Sequence, residues 1–542
     1  MNFIGIDFGT HNCSICLVKT DSSISYDNSN SNSTASYRAD SCEADGCDGA
    51  DRGDRADGID RVDGCDGVDR NDGADGVDVA DGADGPDGAD GPDGPDGPDG
   101  VDRADGPDGS YQLLDFNMPS VIHIGDEILI GNDAINLNVN NISYFKRLLC
   151  LKENEEHLFN FDYYNKNETI YIKTDKGDLS ITQIIGMFFS KLKEKIDKKI
   201  NIYSCILTVP AFFNENQRKI IWNAVQLSSL PCIKLLNEPT SACIAYFDKY
   251  DDHNNKNILV FDFGAGTLDL TIVRMEDEIC EVLAIFGNNN LGGLDINYTL
   301  MKELNITFEQ AEIKKKKNKY NKIYDKHFKK DIINAIDQVI QISGNVDIDN
   351  IILVGGSSKL IWVQELIKNY LNKDIINIKN NNYDYKDIAV SLGAAIHQKK
   401  NTDKSIILID RLPLSIGVKT IDNTFTPIIP RNTIIPMSAT KVFTSNDKQI
   451  VIDLYQGESS FINENIHIKS FELNNINSDN PVIYITIKVN INGIIEVIAK
   501  ERFNDVETKI EITNVVSDKE IQNILNNVDY YHTTKYQLKN IL

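Results

Sequence analysis

Short β-branched runs recur through the first four hundred residues, each leading into a loop and, in most cases, a helix. Phe3–Asp7 and Ser14–Lys19 read as two strands around a Gly-Thr turn, and Val121–Ile130 as short strands. Ser204–Pro210, Ile258–Asp262 and Ile351–Val354 read as further strands. Ser180-x-x-Gln183 has the form of a capping box, and Ile184, Ile185, Phe188, Phe189 and Leu192 then share one helical face. Strands alternating with helices in this way predict a layered α/β domain of the mononucleotide-binding kind.

After about residue 405 the period changes from helical to two. Val442–Phe443, Ile450–Tyr455, Ile466–Phe471, Val482–Val489, Ile494–Ala499 and Thr508–Ile512 read as strands, with Ile483, Ile485, Ile487 and Val489 on one face. This predicts a separate β-sandwich over 412–516. A final helix is expected at 517–542, opened by Ser517-x-x-Glu520, with Ile521, Ile524, Leu525 and Val528 together.

Composition changes this picture at one place. The chain of 542 residues has a net charge of −26, yet from Asp45 to Ser110 there are 22 Asp and 5 Arg, a local balance of −17. The segment of about 21–110 therefore reads as an acidic insertion of Asp-Gly-X triplets. The glycine register fails at Arg52, Arg55, Arg61, Arg70, Val79 and Arg103, which excludes a collagen triple helix. With almost no large apolar residues it cannot offset its ordering entropy, so disorder is expected. A solvated bristle and a calcium- or partner-binding segment both remain open for it. The acidic balance argues against a nucleic-acid-binding face. Cys13 and Cys16 lack a second pair at zinc spacing. No secretory leader or membrane span is apparent, so a cytoplasmic protein with reduced thiols is expected.

Chemistry gathers in two hairpins that read as copies. FIGIDFGTHNCSICLV at the N-terminus parallels ILVFDFGAGTLDLTIV from Ile258. In each, an apolar strand delivers an aspartate, then glycine and threonine at a tight turn. The turn residues Gly9, Thr10 and His11, and Gly264, Ala265, Gly266 and Thr267, let backbone approach phosphate oxygens. Asp7 and Asp262 are the candidate metal residues, able to hold a hydrated magnesium ion from opposite sides. A protein-kinase reading fails because no H-R-D loop is present.

These hairpins resemble the phosphate loops of the actin-like ATPase superfamily. LTVPAFFNENQR (Leu207–Arg218), NEPTSACIAY (Asn237–Tyr246), NLGGLD (Asn290–Asp295), ILVGGSSKL (Ile352–Leu360) and PLSIGV (Pro413–Val418) narrow the resemblance to the 70-kDa heat-shock chaperone family. The resemblance implies a duplicated actin-like (ribonuclease H-like) ATPase domain with two lobes over 1–404. A linker at 405–411, a β-sandwich peptide-binding domain and a truncated lid helix follow.

Carried over by motif, Lys146 in SYFKRLL matches the catalytic lysine, Glu238 the acid of the NEPT motif and Asp262 the catalytic carboxylate. Thr10 and Thr267 match hydroxyls facing the γ-phosphate. In-line attack by water requires positive charge, magnesium and an acceptor that orients the water, which agrees with that set. Gly292 and Gly293, then Gly355, Gly356, Ser357 and Lys359, and Asp387, match further nucleotide contacts. Glu312, Lys315 and Lys316 resemble an adenosine-contacting Glu-x-x-Lys-Arg pattern, although a solvated charged helix explains them equally. ATP and Mg2+ are the implied cofactors.

Val418, Ile421, Phe443 and Ile450 match positions lining the family's peptide groove and are equally sensible sandwich-core residues. Ile406–Asp410 resembles an apolar linker, odd in a polar connector unless it adds a strand. Implied partners are unfolded or nascent polypeptides, a J-domain co-chaperone and a nucleotide exchange factor. His11 replaces a usual threonine, Lys359 replaces a usual arginine, and the stretch between Leu300 and Ile351 is about half the family's expectation. With the shortened lid, these departures leave a second reading open: a lidless, ribosome-associated protein that binds ATP without hydrolysing it.

Overall fold

The computed structural model describes residues 2–19, 111–137, 139, 141–150, 159–166, 169–249, 256–276, 279–317, 319–376, 384–403, 407–445, 449–473, 476, 481–490, 493–502 and 507–511. The predicted acidic insertion at about 21–110 and the predicted terminal helix at 517–542 lie outside these residues.

Two sheets carry the two hairpins. In the first, of five strands, Asn2–Phe8 lies between Asn12–Lys19, antiparallel, and Cys205–Val209, parallel. In the second, of seven strands, Lys256–Phe263 lies between Leu268–Glu276, antiparallel, and Asn350–Val354, parallel. The register repeats as well, with Asp7 opposite Ser14 and Asp262 opposite Asp269.

Strand alternation divides each hairpin between two environments. Ile4, Ile6 and Phe8 enter one core with Ile184, Phe188 and Phe189 of the helix Ile181–Asp197. That helix starts at the predicted capping box, where Gln183 N–H donates to Ser180 Oγ at 3.3 Å and Ser180 N–H to Gln183 Oε1 at 2.8 Å. Leu259, Phe261 and Phe263 enter another core with Ile332, Ile336 and Val363. The opposite faces, with Phe3 and Val18 from the first sheet and Ile258 and Val260 from the second, share a third core.

Two helices fill that third core, Glu238–Phe247 and Tyr385–Asp403. They come so close that a Cβ on Gly393 would sit 1.7 Å from the Ser241 carbonyl oxygen. A Cβ on Gly5 would sit 1.9 Å from that of Ser391. Polar ties fix the packing: Ile4 N–H donates to Gln398 Oε1 at 2.9 Å, and Tyr385 Oη to the Ala245 carbonyl at 2.7 Å.

Two four-stranded antiparallel sheets follow. One holds Ile416–Thr420, Thr424–Ile429, Ile450–Gln456 and Ile466–Leu473; the other holds Met437–Thr444, Val482–Val489, Ile495–Glu501 and Glu507–Glu511. Ile483, Ile485, Ile487 and Val489 face their common core, as their alternation predicts. Periodicity did not reveal Ile416–Thr420 and Thr424–Ile429, because Gly417 and Pro427 interrupt their apolar pattern.

The apolar connector adds a strand. Ile407–Arg411 pairs parallel with Ile279–Asn288 and antiparallel with Ile434–Ile435, joining the second sheet to the β unit. Arg411 Nη2 lies 2.8 Å from Glu281 Oε1, and Asn237 Nδ2 donates to Asp410 Oδ2 at 2.9 Å. Glu215 N–H donates to Gln456 Oε1 at 3.1 Å and Asn216 Nδ2 to the His467 carbonyl at 3.0 Å. The β unit is thereby held against the α/β unit. Among the described residues, no helix is long and apolar enough to cross a membrane.

Candidate nucleotide-binding site

Because Phe3, Gly5 and Asp7 share one strand face, as do Ile258, Val260 and Asp262, both aspartates emerge at strand ends toward the gap between the sheets. Both line a single cleft of about 470 Å³. The two glycine turns meet over it: a Cβ on Gly266 would lie 2.8 Å from Thr10 Oγ1. Gly264 N–H donates to the Thr267 carbonyl at 3.0 Å, closing the second turn. Gly293 N–H donates to the Gly264 carbonyl at 3.0 Å and Leu294 N–H to that of Ala265 at 2.9 Å. The NLGGLD loop therefore lies flat on this turn, with Gly292 so close to Ala265 that a Cβ would be 2.3 Å from its carbonyl oxygen.

Lys146 comes from the short helix Phe145–Cys150 and is buried. Its ammonium donates to the Phe8 carbonyl and, at 3.0 Å, to Glu238 Oε1. Burial works against its charge, but Glu238 and Asp7 hold its pKa above the ordinary lysine value. Burial, reinforced by Glu238, pushes Asp7 up from 3.8 to about 7. Burial also pushes Asp262 well up, with Glu238, Asp269 and Asp7 adding to the effect. Four carboxyl groups, those of Asp7, Glu238, Asp262 and Asp269, thus gather about Lys146, with Arg218 in electrostatic reach of Glu238 and Asp269, an arrangement with more acidic than basic groups.

These hard oxygen donors fit magnesium, which keeps much of its water shell when bound by one or two carboxylates. Among the described residues no three His, Cys, Asp or Glu side chains form a direct metal cage. Asp7 and Asp262 are the residues that would hold it.

The far end of the cleft is glycine-lined and charged. Gly355 has φ 80°, and a Cβ there would be 2.5 Å from the Phe263 carbonyl oxygen and 2.7 Å from Asp262 Oδ1. Ser357 Oγ donates to the Gly264 carbonyl at 2.8 Å. Lys359 bridges Asp387 at 2.5 Å and Asp384 at 3.3 Å. Lys315 pairs with Glu312 at 2.7 Å and donates to the Gly293 carbonyl at 3.3 Å.

Of the cofactor and catalytic residues predicted from sequence, all line this cleft except Gly292, which supports it from behind. Sequence reasoning passed over Asp269. Its carboxylate accepts from Phe212 N–H at 2.8 Å, and burial with Glu238 pushes its pKa up to about 6. The signal was present in the duplication, since Asp269 follows Asp262 by the same interval as Ser14 follows Asp7. Arg147 was also underestimated: buried, it reaches the Gly266 and Asn289 carbonyls and pairs with Asp295 at 2.9 Å. Tyr144, on the cleft wall, lies within SYFKRLL but was given no role there.

The four residues predicted for a peptide groove do not share one surface. Val418 is 2% exposed in the core between the two antiparallel sheets, so it packs that core instead of facing a peptide. Phe443 and Ile450 are half-buried against the same core, whereas Ile421 is 84% exposed.

Two hairpins crossing over an acidic, lysine-bearing cleft, with an antiparallel β unit appended, define the class of protein by fold and site. The family model described as Hsp70 protein matches residues 115–334 and 313–541. The chain is 30% identical over 491 residues to the chaperone protein HscA of Buchnera aphidicola subsp. Acyrthosiphon pisum (strain Tuc7), covering 78% of this chain and 79% of that one. It is 28% identical over 486 residues to a heat shock protein 70 homolog of Acanthamoeba polyphaga mimivirus, covering 73% of this chain and 51% of the relative. The match thus spans about half the length of the viral relative. This chain belongs to the Hsp70 family.

Proposed function

We propose that this protein is an ATP-dependent molecular chaperone that couples nucleotide turnover in the cleft to binding of unfolded or nascent polypeptide by the β unit. The observation that carries the reading is the convergence of both hairpins on one cleft with the Lys146–Glu238 pair at its base. In this reading the two α/β sheets are the lobes of a duplicated actin-like ATPase. Bound magnesium–ATP supplies the electrophilic phosphorus and the positive charge that the carboxylates lack.

Lys146, fixed by Phe8 and Glu238, presents positive charge toward the phosphate turns. Glu238 and Asp262 are the acceptors able to orient a water molecule, and Asp262 with Asp7 would hold a magnesium ion. Thr10 and Thr267 offer hydroxyls beside the turn amides. The strand Ile407–Arg411, seated between Ile279–Asn288 and the β unit, supports a route by which lobe closure reaches the peptide-binding part. A J-domain co-chaperone, an exchange factor and a cytosolic setting belong to the same proposal. The seven described cysteines are all buried, and reduced thiols suit that setting.

Single-turnover hydrolysis of labelled ATP tests this reading. Wild type should turn over, and Lys146→Ala and Asp262→Ala should each fall about 10²–10³-fold, the typical cost of removing one transition-state charge partner. Tight binding without turnover in wild type would instead favour the ribosome-associated, ATP-binding reading, for which co-sedimentation with ribosomes is the check.

A further inference from the structure

The mouth of the cleft is bridged by a row of rings, of which only His11 was a predicted site residue. The His11 ring stacks on Tyr144 with centroids 5.6 Å apart and planes within 15°. Tyr144 meets Phe308 at 6.0 Å, and Phe308 meets Tyr298 at 6.0 Å, both tilted. All three separations lie in the range where aromatic pairs attract beyond simple burial. His11 and Tyr144 belong to the unit built on the first sheet, which buries Ile142 and Phe145. Tyr298 and Phe308 belong to the unit built on the second, which buries Ile296, Leu300 and Ala311. The Tyr144–Phe308 contact therefore joins the two sides of the cleft.

Both ends of this contact are attached to the nucleotide machinery. Tyr144 lies two residues before Lys146, and its carbonyl accepts from Arg147 N–H at 2.8 Å. It has φ 58°, a conformation that a bulky residue keeps only when its surroundings hold it. Phe308 opens the helix Phe308–Lys315, which carries Glu312 and Lys315 on the cleft wall. A capping box of Thr307 and Gln310 fixes the start of that helix. Movement of this helix relative to Lys146 therefore parts the rings.

We infer that Tyr144 and Phe308 form a clasp over the cleft, and that parting them is a required step in release of an adenine nucleotide. The inference rests on the nucleotide reading of the cleft. Neither ring takes part in the chemistry; both are positioning residues that set how long nucleotide stays bound.

Release of N-methylanthraniloyl-ADP with magnesium, chased by unlabelled ADP in stopped flow, tests this with the full chain. Phe308→Ala and Tyr144→Ala should each raise the dissociation rate about two- to tenfold, the span expected for losing an aromatic pair. The double variant should be no faster than the faster single, because one contact cannot be lost twice. Phe308→Leu, which keeps apolar bulk at a half-exposed site, should give a smaller rise and secures the test if the alanine variant folds poorly. Dissociation rates equal to wild type, or single effects that multiply in the double variant, would overturn the clasp while leaving the nucleotide site intact. Failure of wild type to bind the probe at all would remove the nucleotide reading and the clasp with it.

Discussion

Replacing Glu215 by glutamine should change how stability depends on pH, and the structure sets the size of the change. Glu215 opens the helix Glu215–Ser228, yet its side chain is buried against the β unit, where its own N–H reaches Gln456. Burial raises its pKa from 4.5 to about 7, although Arg218, Lys219 and the Ile495 backbone N–H work in the opposite direction. A carboxyl whose folded-state pKa is raised binds its proton more tightly when folded. Its stabilising contribution is therefore complete below about 4.5 and is lost as pH rises through about 7. At roughly 1.36 kcal/mol per pKa unit, the loss is about 3 kcal/mol across that window. Glutamine has the same shape and does not titrate. It leaves a buried amide to satisfy, at a cost of about 1–3 kcal/mol that is the same at every pH. The absolute stability of the variant is thus not the test. The informative quantity is the difference in unfolding free energy between variant and wild type, measured by urea titration at pH 5 and pH 8.5. Asp7 and Asp269 titrate in the same range but are common to both proteins, so they cancel. Because pH 5 already lies above the unfolded-state value, part of that loss precedes the first point, and the difference should move by about 2–3 kcal/mol in favour of Glu215→Gln at the higher pH. Parallel pH dependence in the two proteins would refute the assignment of a buried, protonating carboxyl at this junction.

Gly393→Ala should destabilise the chain by about 3 kcal/mol, read from the urea midpoint, because its Cβ would fall 1.7 Å from the Ser241 carbonyl oxygen where the two central helices touch. Gly355→Ala, forced to φ 80° with its Cβ 2.7 Å from Asp262 Oδ1, should weaken ATP binding at least about tenfold by calorimetry. Arg411→Ala removes the 2.8 Å pair with Glu281 and a bond to the Val282 carbonyl. It should cost about 1–3 kcal/mol locally and speed hydrogen exchange in Ile407–Arg411 and its partner Ile279–Glu281, measured by mass spectrometry.

The sequence by itself determined whatever depends on near neighbours. Alternation of Phe3, Gly5 and Asp7 against Ile4, Ile6 and Phe8 sets which side of the strand carries the aspartate, because the period of a strand is a property of the backbone. The Ser180–Gln183 cap, the two glycine turns and the strand written into Ile407–Asp410 follow from the same local rules. Their repetition in a second hairpin made the pairing of Asp7 with Asp262 legible before any fold was known. Tertiary structure alone raised the pKa of Asp7, Asp262, Asp269 and Glu215, since each depends on water excluded by segments far away in the chain. It moved Val418 into a core, because the strand Ile416–Thr420 faces a second sheet that begins after the connection. It brought Tyr144 to Phe308 and Arg147 to Gly266 across more than a hundred residues. No local period encodes a contact between two surfaces; it exists only once both have been packed.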